Sequence, residues 1–472
     1  MSRGSGCERN GCAPSRARFA LLGVAGVTIV VASLARPAAA EPVGWSQFQG
    51  DAAHSGVGPE DGPLPPYRQA WTFEEPGSDR GLSAAVISGE VAIAVGVEGV
   101  YAVDLGSGVE RWSVPRAGGP LASPSLGAAD GRTVLVYTEG EDDESSAVVG
   151  VDVAKQEELW RTGLEDVSRS GVTIDAGKAF LGDDSGTVYA VDLESGTLLW
   201  TLERQGQVLS PPAAGGGVVY APISDAQSGQ VQVTAVDADT GPQDGNALWT
   251  FEPPVAGRSL STPTLRPDSL VVGVSERLLV ALDLEDGREL WEERLNAEPS
   301  QLSAPAASGV VVASDLAGGV YAVKPGTGER EWSYQLNELN VRSSPVVVAG
   351  YTVVGLQDGR LVAIDLETAE LVWASPSGSG AIGAIAVAGD ALVAARLGEQ
   401  GGLVAFVEDP DGELVRIASP TVPDLPLMIG SFAAAFAAVS AVLWGFGRLL
   451  LSRFTLETIG SADEGDGAEE DR

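Results

Sequence analysis

The sequence predicts an all-β chain, an eight-bladed β-propeller of four-stranded antiparallel blades. A unit seen most cleanly at residues 188–200, VYAVDLESGTLLW, returns along most of the chain. Its closing tryptophans, Trp112, Trp160, Trp200, Trp249, Trp291, Trp332 and Trp373, step by 48, 40, 49, 42, 41 and 41 residues. A period of about 40 to 50 residues carrying only strand signals is the mark of a propeller. Glycine, at 61 residues, is abundant enough for several tight turns in each blade.

Each copy reads as one hairpin. Val188, Tyr189, Ala190 and Val191 form an apolar run suited to a strand buried on both faces, and Asp192 ends it. Glu194, Ser195 and Gly196 supply the turn, with glycine where the backbone needs positive φ, and Leu198, Leu199 and Trp200 begin the returning strand. The other copies are VYAVDLGSGVERW at 100–112, VVGVDVAKQEELW at 148–160, VTAVDADTGPQDGNALW at 233–249, LVALDLEDGRELW at 279–291, VYAVKPGTGEREW at 320–332 and LVAIDLETAELVW at 361–373. An eighth, LVAFVEDPDGELVR at 403–416, ends in Arg416 where tryptophan is expected, whereas Trp71 lies 41 residues before Trp112 with no hairpin ahead of it. The strand around Trp71 is therefore expected to complete the eighth blade by pairing within residues 384–417, an edge for which residues 413–417 compete.

The alternation of an apolar run, Asp, Thr or Ser, Gly and a closing Trp resembles the PQQ-like (quinoprotein) β-propeller repeat. That repeat is shared by pyrroloquinoline quinone dehydrogenases, the propeller lipoprotein of outer-membrane assembly and many bacterial surface proteins. The resemblance covers residues 45–417 and implies the fold. It does not by itself imply an activity.

Taken in order, residues 1–40 read as an export signal: Arg16 and Arg18, an apolar core over 19–34, and Ala38-Ala39-Ala40 before Glu41. An uncleaved anchor is the competing reading. Cys7 and Cys12, the two cysteines of the chain, leave with the signal, so a mature protein has neither disulfides nor thiolate metal sites. Residues 41–70 form a lead-in in which Trp45, Gly50, Asp51, Ser55 and Gly56 fit the pattern that resembles the start of such propellers. His54, the single histidine, lies within it and reads as structural or exposed.

The propeller is expected over 71–417. Its inner strands begin at Ser83-Ala84, Ser123-Pro124, Ser170-Gly171, Ser210-Pro211, Thr262-Pro263, Ala304-Pro305, Ser344-Pro345 and Gly383-Ala384, small residues where eight strands converge on an axis. Residues 139–146 (EGEDDESS) and 224–230 (SDAQSGQ) read as enlarged, solvated loops. Residues 425–447 run 23 without a charge, enough to cross a bilayer core as a helix, here assigned to 425–451. Asp424 precedes that run and Arg448 and Arg453 follow it, so the positive-inside bias puts the propeller outside and residues 455–472, an acidic tail expected to be disordered, in the cytoplasm.

The formal net charge is −36, and lysine occurs only at 155, 178 and 324. Nucleic acid is excluded as a partner, because phosphate binding needs clustered cations. A solvated acidic surface is the plain reading, and recruitment of a basic partner the alternative. By the resemblance, a quinone dehydrogenase would carry calcium over its cofactor, a catalytic aspartate and commonly adjacent cysteines. The most polar stretch near the expected funnel is 337–342, NELNVR, which reads as an ordinary blade-to-blade loop, with Glu338, Asn340 and Arg342 the weak candidate ligands. Asp104, Asp152, Asp192, Asp237, Asp283 and Asp365 sit at turns and are expected to cap backbone amides rather than to bind metal. The tryptophans, Trp71 included, are expected to pack between blades with their indole N–H on a neighbouring carbonyl. Neither cofactor nor metal is expected. The chain is thus read as an exported propeller, anchored at the plasma membrane by a single C-terminal span and serving as a non-catalytic protein-binding or scaffold module. A PQQ-dependent dehydrogenase and a structural envelope component are the alternatives.

Overall fold

The computed structural model describes residues 44–418, apart from 78–79, 143–144, 226, 255–259, 276, 298, 300–305, 337–340, 342 and 399–400. The expected signal, the span and tail, and the candidates Glu338, Asn340 and Arg342 lie outside the described residues.

The third blade shows how the repeat folds. Thr173–Asp175, Lys178–Gly182, Thr187–Asp192 and Leu198–Glu203 pair in sequence order, each antiparallel to the next. Trp200 stands opposite Ala190 but Leu198 opposite Val191, so Leu199 is an extra residue. The same register shift recurs between Ala102 and Val103, Gly150 and Val151, Ala281 and Leu282, Ala322 and Val323, and Ala363 and Ile364. Such a bulge raises the local twist and re-aims the side chains of the outer strand.

Eight such sheets make up the all-β propeller. The ring closes where the last blade, Ala381–Ala388, Ala391–Leu397 and Gly402–Glu408, takes Tyr67–Glu74 as its outer strand, with Trp71 opposite Ala405. The end of the chain does not contest that edge. Ile417–Ala418 instead becomes a fifth strand on the neighbouring blade, opposite Leu371 and Glu370, and Arg416 pairs with Glu370 at 3.1 Å.

Five of the closing tryptophans lock their blade to the next. The Nε1 of Trp160 donates to Leu193 O at 2.9 Å, and those of Trp200, Trp249, Trp291 and Trp332 to Ala238, Leu284, Pro325 and Leu366. Trp71, in the closing strand, donates in the same way to Leu105 O of the first blade at 2.6 Å. The indole lies flat on the turn glycine of that neighbour, so that a Cβ at Gly196 would stand 2.6 Å from Trp160 and one at Gly241 2.5 Å from Trp200. With φ near +70° at Gly196, glycine is required there twice, by the backbone and by the ring. Gln156 and Ala369 hold this turn position in two other blades at φ 58° and 56°.

The two insertions differ from expectation. Rather than forming solvated loops, both lengthen hairpins: Arg132–Asp142 pairs with Ser145–Asp152, and Val218–Asp225 with Gln230–Asp237. Ladder pairing satisfies the added backbone groups, and Glu139 is buried against Arg161 and the amide of Ala117. Among the described residues every regular element is a strand, and no helix is long and apolar enough to cross a membrane.

Candidate functional site

The propeller axis is where side chains of many blades meet, and its two ends differ. One end is closed by the lead-in, whose backbone visits the inner strands in turn. Trp45 O accepts from Ile87 N at 2.7 Å, Ser46 O from Leu126 N at 2.8 Å, Ala52 O from Ala214 N and Ala53 O from Leu265 N at 2.8 Å each. The Gln47 amide clamps Ile174 on both sides, donating to its carbonyl at 2.8 Å and accepting from its N–H at 2.7 Å. Gly56 O and Gly58 N bracket Val347 at 2.8 and 2.7 Å. Ile87, Leu126, Ile174, Ala214, Leu265 and Val347 each come from an inner strand of a different blade. These inner edges have no further strand to pair with, so the lead-in satisfies amides that would otherwise be orphaned at the axis.

His54 lies fully buried in this plug, correcting any reading of it as exposed. Its Nδ1 is 3.2 Å from Pro263 O, and its Nε2 is 3.2 Å from Thr173 Oγ1, which is itself 2.6 Å from Pro212 O. A carbonyl only accepts, so the neutral ring carries its proton on Nδ1. Burial pushes its pKa down to about 4, against the smaller opposing pulls of the Pro263 carbonyl and Asp51. The histidine is thus a pin between blades.

The other end is a shallow funnel leading to a cavity of about 100 Å³, floored by Phe48 and walled by residues such as Leu82, Ala84, Leu121, Leu209 and Leu397. The entrance residues face it as the convergence argument requires: a Cβ on Gly171 would stand 3.2 Å from Ser123 and 3.4 Å from Pro211. Serines at or beside three of the entrances are engaged in the walls. Ser83, Ser261 and Ser343 hydroxyls accept from the amides of Val95, Gly273 and Gly355 at 2.9, 2.8 and 2.6 Å. Arg169 is the charged side chain of the described lining, and its Nε donates to Asp184 at 2.7 Å.

The repeat aspartates point away from the axis. Asp104 accepts from Ser107 N at 2.8 Å, Asp192 from Ser195 N at 2.8 Å, Asp283 from Glu285 N at 2.9 Å and Asp365 from Glu367 N at 3.0 Å. Asp152 and Asp237 accept in the same way from Lys155 N and Thr240 N. Hydrogen bonds from Ser107 and Arg111 lower the Asp104 pKa to about 2. The tryptophans occupy the blade junctions, again off the axis.

Sequence reasoning missed a second set of carboxylates. Asp183 accepts from Ser185 N, Thr187 N and, at 2.6 Å, the Tyr189 hydroxyl, which accepts in turn from Glu165 N. Asp315 and Tyr321 repeat the arrangement, with Asn296 N on the phenol. Burial, with the carboxylate beside it, raises the pKa of both tyrosines. In the first blade Glu75 arrives from the closing strand to take this role with Val97 N, Glu98 N and the Tyr101 hydroxyl. It fills the space left by Gly96, where a Cβ would stand 2.4 Å from its Oε1. The signal in two of the blades was an aspartate six residues before the tyrosine of the repeat. Arg116, buried, donates to the carbonyls of Gly96, Thr138, Gly119 and Pro120 and pins the crossover into the second blade; burial lowers its pKa to about 10.

A family model described as outer membrane protein assembly factor BamB matches residues 143–316 and 233–427, together more than half of the chain. The chain belongs to this family of PQQ-like propeller repeats. Among relatives of the family, the outer membrane protein assembly factor BamB of Nitrosomonas eutropha is 30% identical over 157 residues, 33% of this chain and 36% of the relative. A polyvinylalcohol dehydrogenase of a Sphingopyxis species is 23% identical over 430 residues, 68% of this chain and 64% of the relative. The crystal structure of BamB from Moraxella catarrhalis superposes with a TM-score of 0.57 at 20% identity, covering 73% of this chain and all of that one, a likeness of fold alone. The chain spans only about a third to a half of the length of the first curated relatives it matches.

The resemblance to quinoproteins makes a quinone with its calcium the group to test against the funnel. The described lining does not fit it. A volume of about 100 Å³ falls below the roughly 300 Å³ at which small-molecule sites begin. Among the described residues no carboxylate lines the cavity, and no three His, Cys, Asp or Glu side chains are grouped to hold a metal ion.

Proposed function

We propose that this chain is a non-catalytic propeller of the cell envelope that binds or holds a protein partner. The supporting observation is the funnel, small, largely apolar and floored by Phe48, with the Ser83 hydroxyl of its wall already accepting from the Val95 amide. That arrangement suits a rigid platform better than a redox site. Family membership favours the same reading, since relatives carry the name of an outer membrane assembly factor. The reading of 1–40 as an export signal and of 425–447 as a span supports a propeller outside the cytoplasm on a single-pass anchor in the plasma membrane, and the net charge of −36 argues against nucleic acid.

Two experiments test this reading. Full-length protein incubated with calcium and pyrroloquinoline quinone should lose the cofactor's absorbance on gel filtration and reduce no dye with alcohols or sugars. Stoichiometric retention with substrate-dependent dye reduction, abolished by Glu338→Gln or Asn340→Ala, would instead establish the dehydrogenase that the Sphingopyxis relative suggests. Crosslinking in intact membranes followed by capture of the propeller should yield a defined partner protein. Recovery of the chain alone would reject the binding role.

A further inference from the structure

The direction in which the chain leaves the propeller orients the whole ring. Turns such as Asp104 to Gly108 and Asp192 to Gly196, together with the lead-in plug, lie at one end of the axis, because the plug bonds to inner-strand residues next to the first turn of each blade. The funnel lies at the other end, among the inner-strand entrances. Ile417–Ala418 runs antiparallel to Glu370–Ala374, with Ala418 opposite Glu370, the residue just after the Asp365 turn. The described chain therefore ends at the plugged face, heading out of it along the axis. Gly44, where the described chain begins, borders the same face, in a groove with Asp104, Gly106 and Gly389.

Six residues, 419–424, separate Ala418 from the uncharged run, and they include Pro420 and Pro423. Even a fully extended segment of that length reaches at most about 20 Å. To set the funnel face on the membrane, this tether would have to run back over the length of a blade. Five strand residues alone span about 17 Å, which leaves almost no tether for the turn into the bilayer.

We propose that the plugged face is turned to the lipid surface and the funnel face is presented away from it, which makes the funnel face the one open to a partner. The proposal rests on the reading of 425–447 as a membrane span. The repeat aspartates of the plugged face are turned back onto their own turn amides, but Glu194, Asp239 and Glu367 are exposed there, so the face stands off from lipid rather than inserting.

The chain has two cysteines, Cys7 and Cys12, so a Cys→Ser background permits single labels on the full-length protein. Donors are placed at Glu194→Cys and Thr368→Cys on the plugged face and at Ser185→Cys and Gln357→Cys on the funnel face, in the third and seventh blades. The protein is reconstituted in phosphatidylcholine vesicles carrying headgroup-labelled acceptor lipid. In both blades the plugged-face label should transfer more efficiently, by an apparent distance of roughly 20 Å. Greater transfer from the funnel-face labels overturns the orientation. So does a pattern in which both seventh-blade labels are near and both third-blade labels far, which means the ring stands on edge. Failure of the protein to float with the vesicles rejects the span, and the orientation falls with it; flotation with the wrong pattern rejects the orientation alone.

Discussion

Lowering the pH from 7 toward 4 protonates His54 in the unfolded chain well before it does so in the folded one. The folded ring is neutral, donates Nδ1–H to Pro263 and is fully buried, which brings its pKa from 6.5 to about 4. Between those values the unfolded chain binds the extra proton, so the contribution of His54 to stability is complete above about 6.5, falls through the window and is gone by about 4. The gap corresponds to roughly 3 kcal/mol, a large part of the 5–15 kcal/mol that holds a typical domain together. Because the chain has one histidine, this limb belongs to one residue. Carboxylate protonation also relieves the charge of −36, an effect of opposite sign that a control must carry equally. His54→Gln is that control. Urea midpoints of the detergent-solubilised protein, followed by tryptophan fluorescence at steps from about pH 7 to pH 4, should fall steeply for the wild type and stay nearly level for the variant. Parallel profiles would refute the argument, as would a single imidazole resonance titrating near 6.5 in the folded protein.

Gly196→Ala should cost about 2 kcal/mol or more, because it adds a Cβ 2.6 Å from the Trp160 ring to a left-handed backbone. Gly177→Ala, with φ 75° but open space around it, should cost only about 1 kcal/mol, and equal losses in urea melts would dismiss the ring contact. Ala369→Gly should stabilise by about 0.5–1 kcal/mol through relief of φ 56°; a lower midpoint would show that the turn is not strained. Deleting residues 41–75 removes both the plug and the Tyr67–Glu74 strand and should abolish cooperative unfolding, whereas a sharp transition in the truncated protein would mean the ring closes without them. Protease added to intact spheroplasts should digest the propeller and spare an epitope on the tail, and the reverse pattern would overturn the proposed topology.

The repeat was legible because it is local. A strand of apolar residues, an aspartate to hold the turn amides, a glycine at positive φ and a tryptophan fit within thirteen residues of sequence, and short-range chemistry is what a sequence displays. Blade number followed from counting the copies, and closure from the orphaned Trp71 and the missing tryptophan at Arg416. Only the tertiary structure decided what each residue serves at long range. The turn glycines are also the seats of the preceding blade's tryptophans, a constraint that comes from a ring 36 to 41 residues away. Glu75 replaces an aspartate of the first blade because Gly96 leaves it room. The lead-in, with its glycines and lone histidine, was legible only as a segment ahead of the first blade, but its polar backbone is what the converging inner edges lack. Ile417 went to the seventh blade because Tyr67–Glu74 already pairs with the eighth along seven positions, and a two-residue strand cannot displace that ladder. Local patterns set the elements, whereas the unpaired hydrogen bonds that remain when eight of them meet on one axis settled the rest.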